Sequence, residues 1–124
     1  MSDRKSREIL VVEDEWLVRM ELADAFEALG FVVAESASAE HAAELLRINP
    51  GIALLVTDIR LAGVADGWDL GIEARAINSA IPVVYLSANP PAAELIVDGG
   101  VFINKPALME TVTAAALNLL GDFE

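Results

Sequence analysis

The sequence predicts an open, doubly wound α/β fold of the (βα)5 kind, a parallel sheet covered by helices on both faces. Three observations predict it. Five short apolar runs recur along the chain, each continuous rather than alternating, as strands buried on both faces require. Segments of helical period separate the runs, and strand–helix alternation implies parallel strands joined by right-handed crossovers. The length, 124 residues, fits one domain and leaves no room for a second. The domain is drawn over residues 8–121, behind an N-terminal tail at 1–7.

The first run, ILVV at 9–12, is followed at once by EDE. Val18, Leu22, Ala25 and Leu29 then recur at i, i+4, i+7 and i+11, with Phe26 widening the stripe, and Gly30 stops the helix. FVVA at 31–34 is the second run; Ser38 is placed to cap a helix running to about Ile48, ended by Asn49-Pro50-Gly51. IALLV at 52–56 is the third, and a helix opening near Asp66 carries Leu70, Ala74 and Ile77 on one face. PVVYL at 82–86 is the fourth. The stretch PPAAELIVD at 90–98 holds at most two or three helical turns. VFI at 101–103 completes the sheet, and Leu108, Val112, Ala115 and Leu119 mark the last helix.

Composition narrows the chemistry. Hydrophobic residues make up 55% of the chain but aromatics only 6%, so small and branched aliphatics must build the core. Twenty acidic residues against 8 basic give a net charge of −12. That sign argues against a nucleic-acid binder, which needs Lys and Arg for phosphates, and against docking on an anionic membrane. It suits a partner with a basic face, or a bound cation. With no Cys, thiolate metal sites, disulfides and cysteine nucleophiles are excluded. The single His41 excludes multi-histidine metal sites and reads as a solvated helix residue. Trp16, Met20 and Trp68 read as packing residues, with Trp16 close enough to EDE to report ligand binding. No run approaches the roughly 20 apolar residues of a membrane span. Arg4, Lys5 and Arg7 precede only four apolar residues, where a secretory signal needs roughly 7–15. The expectation is a soluble cytoplasmic protein.

In doubly wound sheets the functional crevice lies beyond the carboxyl ends of the strands. The polar residues sit there: Glu13 and Asp14 after the first run, Asp58 after the third, Ser87 ending the fourth, Lys105 shortly after the fifth. Three carboxylates brought together repel, by about 4 kcal/mol per pair at 4 Å and an effective dielectric near 20. A raised pKa or a bound cation relieves this. Oxygen-only ligands point to a hard ion, Mg²⁺ before zinc. A carboxylate left free can act as a nucleophile and form an aspartyl phosphate, with Lys105 and Ser87 facing the phosphoryl oxygens.

ILVVEDE at 9–15, LLVTDIR at 54–60, DGWDL at 66–70, PVVYLSA at 82–88 and FINKP at 102–106 together resemble the receiver domain of bacterial two-component response regulators, in order and over essentially the whole chain. The resemblance implies a flavodoxin-like sheet of order 2-1-3-4-5 and a cis Lys105–Pro106 bond. It implies that Asp58 accepts a phosphoryl group from a histidine kinase or a histidine phosphotransfer protein. Glu13 and Asp14 match the acidic pair that holds Mg²⁺ with Asp58, and Arg60 the residue whose backbone carbonyl completes that site. Ser87 matches the switch hydroxyl, Lys105 the family lysine, and Phe102 the aromatic that turns inward on activation, altering the face of the fourth helix, fifth strand and fifth helix. Arg60 and Asn89 occupy positions that tune dephosphorylation.

Four departures from the family pattern stand out. IRLAGVADG after Asp58 lacks the common Met-Pro pair and is one residue longer. The segment between Ser87 and Lys105 is shorter by about a turn, so the fourth helix is expected to be short or irregular. Phe102 stands for the more frequent Tyr, and Ser87 for the commoner Thr. With Glu124 as its last residue the chain reads as a stand-alone receiver, signalling through a downstream protein target or by phosphoryl relay, with a homodimer left open. Two rivals are a pseudo-receiver adaptor and a small Mg²⁺-dependent aspartate phosphatase. The second lacks its general acid, since Arg60 occupies the position two residues after Asp58.

Overall fold

A computed structural model describes residues 7–121, so the tail's Arg4 and Lys5 lie outside the described residues. Five strands alternate with helices: β1 (Glu8–Val12), α1 (Trp16–Ala28), β2 (Val32–Ser36), α2 (Ala39–Ile48), β3 (Leu54–Asp58), α3 (Gly67–Ile77), β4 (Val83–Ser87), a 3-10 turn (Ala93–Leu95), β5 (Val101–Asn104) and α4 (Met109–Leu120). The strands form one sheet of order β2-β1-β3-β4-β5. All four pairings are parallel. This is the doubly wound, flavodoxin-like architecture that the sequence predicts.

The unbroken apolar runs are explained by two separate cores. Successive side chains of a strand point to opposite faces. Leu10, Val12, Leu55, Val83 and Tyr85 face α2 and α3, packing on Ala42, Leu46, Leu70 and Ala74. Ile9, Val11, Leu54, Val56, Val84 and Leu86 face α1 and α4, packing on Leu22, Phe26, Val112 and Ala116. A strand between two helical layers therefore has no face for polar residues.

That logic fails at the sheet edge. β2 has a neighbour on one side only, and Val32, read as buried, is 48% exposed. Phe31 is the buried member of that run, packing edge-on against Phe26 with ring centroids 6.3 Å apart. The third and fourth strands also extend past their predicted ends, to Asp58 and Ser87. Ladder pairing, not apolarity, sets a strand's end: Asp58 pairs with Leu86, and Ser87 with Asn104.

The caps follow from local chemistry. Ser38 accepts a hydrogen bond from the His41 backbone N–H at 3.2 Å, and α2 ends at Asn49 as expected. Asp66 and Asp69 exchange bonds in a capping box that opens α3. Two expectations for helical faces are corrected. Trp16 and Met20 are 65% and 41% exposed, because α1 buries the stripe Leu22–Ala23–Phe26 and turns its first turn outward. Leu108 is a cap residue and exposed; the buried stripe of α4 is Val112 and Ala116. Trp68 packs on the core as predicted.

The expected fourth helix is reduced to the 3-10 turn Ala93–Leu95. Pro90 and Pro91 cannot donate to a helix, and Gly99 takes a left-handed φ of 76° that ends the segment. Tertiary bonds hold what remains. The Tyr85 hydroxyl accepts from the Val97 N–H at 3.2 Å. Arg75 donates to the carbonyls of Ile81 and Asp98 at 2.7 and 2.8 Å.

At the start of α3 a side chain is excluded. A Cβ on Gly67 would collide with the Asp58 carbonyl oxygen and lie 2.8 Å from the Ile59 Cα. The Gly67 N–H also bonds the Ile59 carbonyl at 2.7 Å. Neither backbone can retreat without breaking β3 pairing. Gly67→Ala is expected to cost about 1–3 kcal/mol, read as a lower urea midpoint at an unchanged m-value.

Candidate functional site

The parallel sheet brings the carboxyl ends of its strands to one edge, and the predicted residues meet there. Glu13 follows β1, with its N–H donating to the Ser36 carbonyl of β2 at 2.9 Å. Asp58 ends β3 and Ser87 ends β4. Lys105 follows β5, with its backbone N–H donating to the Ser87 carbonyl at 2.8 Å. The Lys105–Pro106 peptide is cis.

One ammonium joins two carboxylates. Lys105 Nζ donates to Glu13 Oε1 at 2.9 Å and to Asp58 Oδ2 at 3.0 Å. The other Asp58 oxygen, Oδ1, accepts the Ile59 N–H at 2.7 Å, and Glu13 Oε2 accepts the Glu15 N–H at 3.2 Å. Glu13 is 1% exposed. Burial pushes its carboxyl from the ordinary 4.5 up to about 7, against the Lys105 hydrogen bond, which lowers it; the Asp58 charge adds to the rise. Burial also pulls the Lys105 ammonium down, but the bonds to Glu13 and Asp58 outweigh it and hold its pKa above the lysine value. The ammonium therefore stays charged in the physiological range.

Asp14 is exposed, and one carboxylate oxygen each from Glu13, Asp14 and Asp58 falls within 4.8 Å of the others. An oxygen-only, carboxylate-rich set that opens to solvent through Asp14 fits a small hard divalent cation such as Mg²⁺. Zinc sites normally use nitrogen or sulfur donors.

A pocket of about 180 Å³ opens beside this cluster, lined by Asp58, Arg60, Ser87, Ala88, Asn89 and Lys105. Ser87 Oγ accepts the Asn89 N–H at 3.0 Å, which leaves its own proton free to donate. Arg60 and Asn89 stand exposed at the rim. Phe102 lies apart from the carboxylates, half-buried on β5 and stacked on Trp68 at 5.9 Å and 10°. Trp68 in turn tilts against Tyr85 at 4.9 Å.

Some contributors were not singled out in the sequence. Arg19 of α1 donates to the Glu13 carbonyl at 2.7 Å and pairs with Glu35 at 3.4 Å, bracing the turn that carries the acidic pair. Tyr85 anchors the 3-10 segment, and its signal was present: a lone tyrosine in a continuous buried run needs a partner for its hydroxyl. His41 is exposed, as read, but its ring Nδ1 lies 2.9 Å from the buried Ser36 hydroxyl.

The response regulator receiver domain family model matches residues 9–116. Among solved structures, a response regulator receiver protein from Sinorhizobium medicae is 29% identical over 97% of this chain and 98% of its own, with a TM-score of 0.87. The receiver domain of the hybrid histidine kinase CckA is 32% identical over 91% of this chain and 98% of its own, with a TM-score of 0.80. A receiver domain protein from Methanospirillum hungatei, at 18% identity and a TM-score of 0.84 over 94% of each chain, shares the fold. A search of curated proteins finds no match. No helix among the described residues is long and apolar enough to cross a membrane.

Proposed function

Because the chain belongs to the response regulator receiver domain family, we propose that it is a phosphoacceptor whose Asp58 takes a phosphoryl group from a histidine kinase or a histidine phosphotransfer protein. One observation carries this reading: Asp58 holds its Oδ2 3.0 Å from the Lys105 ammonium, at the wall of an open pocket that Ser87 also lines.

Glu13, Asp14 and Asp58, with the Arg60 backbone carbonyl, are the residues that would hold Mg²⁺, which when bound supplies positive charge against the phosphoryl oxygens. The chain's own residues do the rest. An Asp58 carboxylate oxygen attacks phosphorus, a P–O bond forms, and the P–N bond to the donor histidine breaks. The imidazole keeps the bonding electron pair and takes up a proton. Charge that was on the carboxylate moves to the phosphoryl oxygens, where Lys105 follows it as a fixed ammonium and Ser87 donates its free proton. The Ile59 N–H holds the other Asp58 oxygen and so fixes which lone pairs face the pocket.

The output is an altered surface formed by the 3-10 segment, β5 and α4. Drawing Ser87 toward a phosphoryl group vacates space behind it, and Phe102 turns inward only by leaving its stack on Trp68. The net charge of −12 favours a donor or downstream protein target with a basic face, and electrostatic steering would speed that encounter. The same charge disfavours nucleic acid and anionic membranes as direct partners. The donor proteins imply a cytoplasmic location, and pairing of two copies through the output face is compatible with this reading. The chemistry is self-phosphotransfer and autodephosphorylation, without turnover of an external substrate.

Incubation with a small-molecule phosphodonor and Mg²⁺ tests the reading. One phosphoryl group per chain is expected, dependent on Mg²⁺, and no incorporation at all overturns the assignment. Once labelled, Arg60→Ala and Asn89→Ala are expected to change the decay of the label while leaving the urea midpoint near that of the parent, because both side chains stand at the rim. Unchanged decay in both contradicts their role.

A further inference from the structure

We propose that Glu40, in the first turn of α2, is a positioning residue for the acceptor pocket: its carboxylate holds the β3–α3 loop in the shape that keeps Arg60 at the mouth of the Asp58 pocket. This rests on the reading of Asp58 as phosphoacceptor.

The loop, residues 59–66, leaves the sheet at Asp58 and returns at Gly67, and its backbone N–H groups must find acceptors outside regular structure. The Ala62 N–H bonds the Ala37 carbonyl at 3.3 Å, and Ala62 bridges Ser38 beside it. The next donors converge on one side chain. Glu40 Oε2 accepts the Val64 N–H at 3.3 Å and the Ala65 N–H at 3.1 Å. Gly63 makes room: it takes a φ of 91°, and a Cβ there would lie 2.7 Å from Glu40 Oε1. A left-handed glycine followed by inward-facing N–H groups forms a concavity suited to an anion, and Glu40 fills it from within the chain. The Ala65 N–H, then Glu40's own, hold this carboxyl below the ordinary carboxylate range despite its exposure.

The link to the pocket is short. Arg60 lies between the Gly67–Ile59 bond of 2.7 Å on one side and the Ala62 and Glu40 attachments on the other. Leu61 and Ala65 pack on the α2–α3 core, but Val64 at the tip is 99% exposed and gives no apolar anchor. Among the described residues, Glu40 is the one charged side chain that accepts hydrogen bonds from the backbone N–H groups of 61–65. Loss of its carboxylate frees two adjacent donors and lets the rim move from Arg60 onward, admitting water to a phosphoryl group on Asp58.

A helix-dipole partner at the start of α2 would give no such link. The test compares the full chain with Glu40→Ala and Glu40→Gln, reading amide exchange residue by residue, decay of label on Asp58, and the urea midpoint. In Glu40→Ala, exchange is expected to rise about tenfold or more at Ala62, Val64 and Ala65, including Ala62, whose N–H bonds the Ala37 carbonyl and not Glu40. Decay is expected to quicken by about threefold or more with the midpoint close to the parent's. Glu40→Gln keeps one acceptor oxygen and is expected to fall between. Faster exchange confined to Val64 and Ala65, or an unchanged decay, overturns the proposal. A parent chain that takes no label fails the acceptor reading instead, and the inference with it.

Discussion

Asp58→Asn is expected to abolish phosphoryl incorporation while the chain stays folded. The amide nitrogen and oxygen of Asn are not nucleophiles under these conditions, so no acyl phosphate forms. The substitution is nearly isosteric, and the Asn oxygen can still accept the Ile59 N–H that now binds Oδ1 at 2.7 Å. Two electrostatic changes oppose each other. The Lys105 ammonium loses a partner at 3.0 Å and meets an amide donor or a neutral oxygen. Glu13 and Asp14 lose a repelling neighbour, and the Asp58 contribution to the raised Glu13 pKa disappears. The net stability change is therefore expected within about 1 kcal/mol, since measured single changes without a cavity or stranded charge cluster near that size. Intact-mass measurement after phosphodonor treatment reads the first outcome, and urea unfolding the second. Label retained at the parent level would remove Asp58 from its role.

Lys105→Met is expected to produce the largest combined loss. Methionine fills much of the same volume, so the deficit reports charge rather than a cavity. Phosphorylation is expected to slow by about 100-fold or more, the range seen when one fixed stabiliser of transition-state charge is removed. Stability suffers too, because Glu13, only 1% exposed, loses its 2.9 Å partner. Removing one member of a buried pair costs about 3–5 kcal/mol. The Lys105 side chain is 25% exposed, so about 2–4 kcal/mol is expected here.

That cost depends on pH with a definite sign. Glu13 has a folded pKa near 7, above its ordinary 4.5, so the folded state holds its proton more tightly than the unfolded chain. The stability linked to this carboxyl is fully present below about 4.5 and is lost as pH rises through about 7. Without the ammonium, Glu13 titrates higher still and its charged form is worse placed. The Lys105→Met deficit should therefore be small at pH 6, where Glu13 takes a proton, and near its full size at pH 8.5. A deficit equal at both pH values would show that Lys105 does not stabilise the fold through the charge on Glu13.

The site was legible to different depths in the chain. Glu13, Asp14, Asp58, Ser87 and Lys105 could be placed together because each follows an apolar run, and parallel strands end on one edge. Their division of labour could not be read. Asp14 is exposed beside a buried Glu13, although the two are adjacent and chemically alike. That split depends on which side chain turns under Lys105, a residue 92 positions away from Glu13. Glu40 was invisible for a similar reason. Its partners lie 24 and 25 residues downstream, in a loop with no periodicity.

Hydrophobic period and punctuation alone determined the order of the elements, the parallel sheet and the edge on which its polar residues gather, since these depend on local burial and chain direction. Tertiary structure decided which strands became edges and so left Val32 in solvent. It tied the fourth segment, already short and irregular by the sequence, down through Tyr85 and Arg75, and it turned Trp16 outward. The physical reason is common to all three. An apolar residue records a tendency to leave water, but whether a neighbouring layer exists to receive it is settled only when distant segments pack.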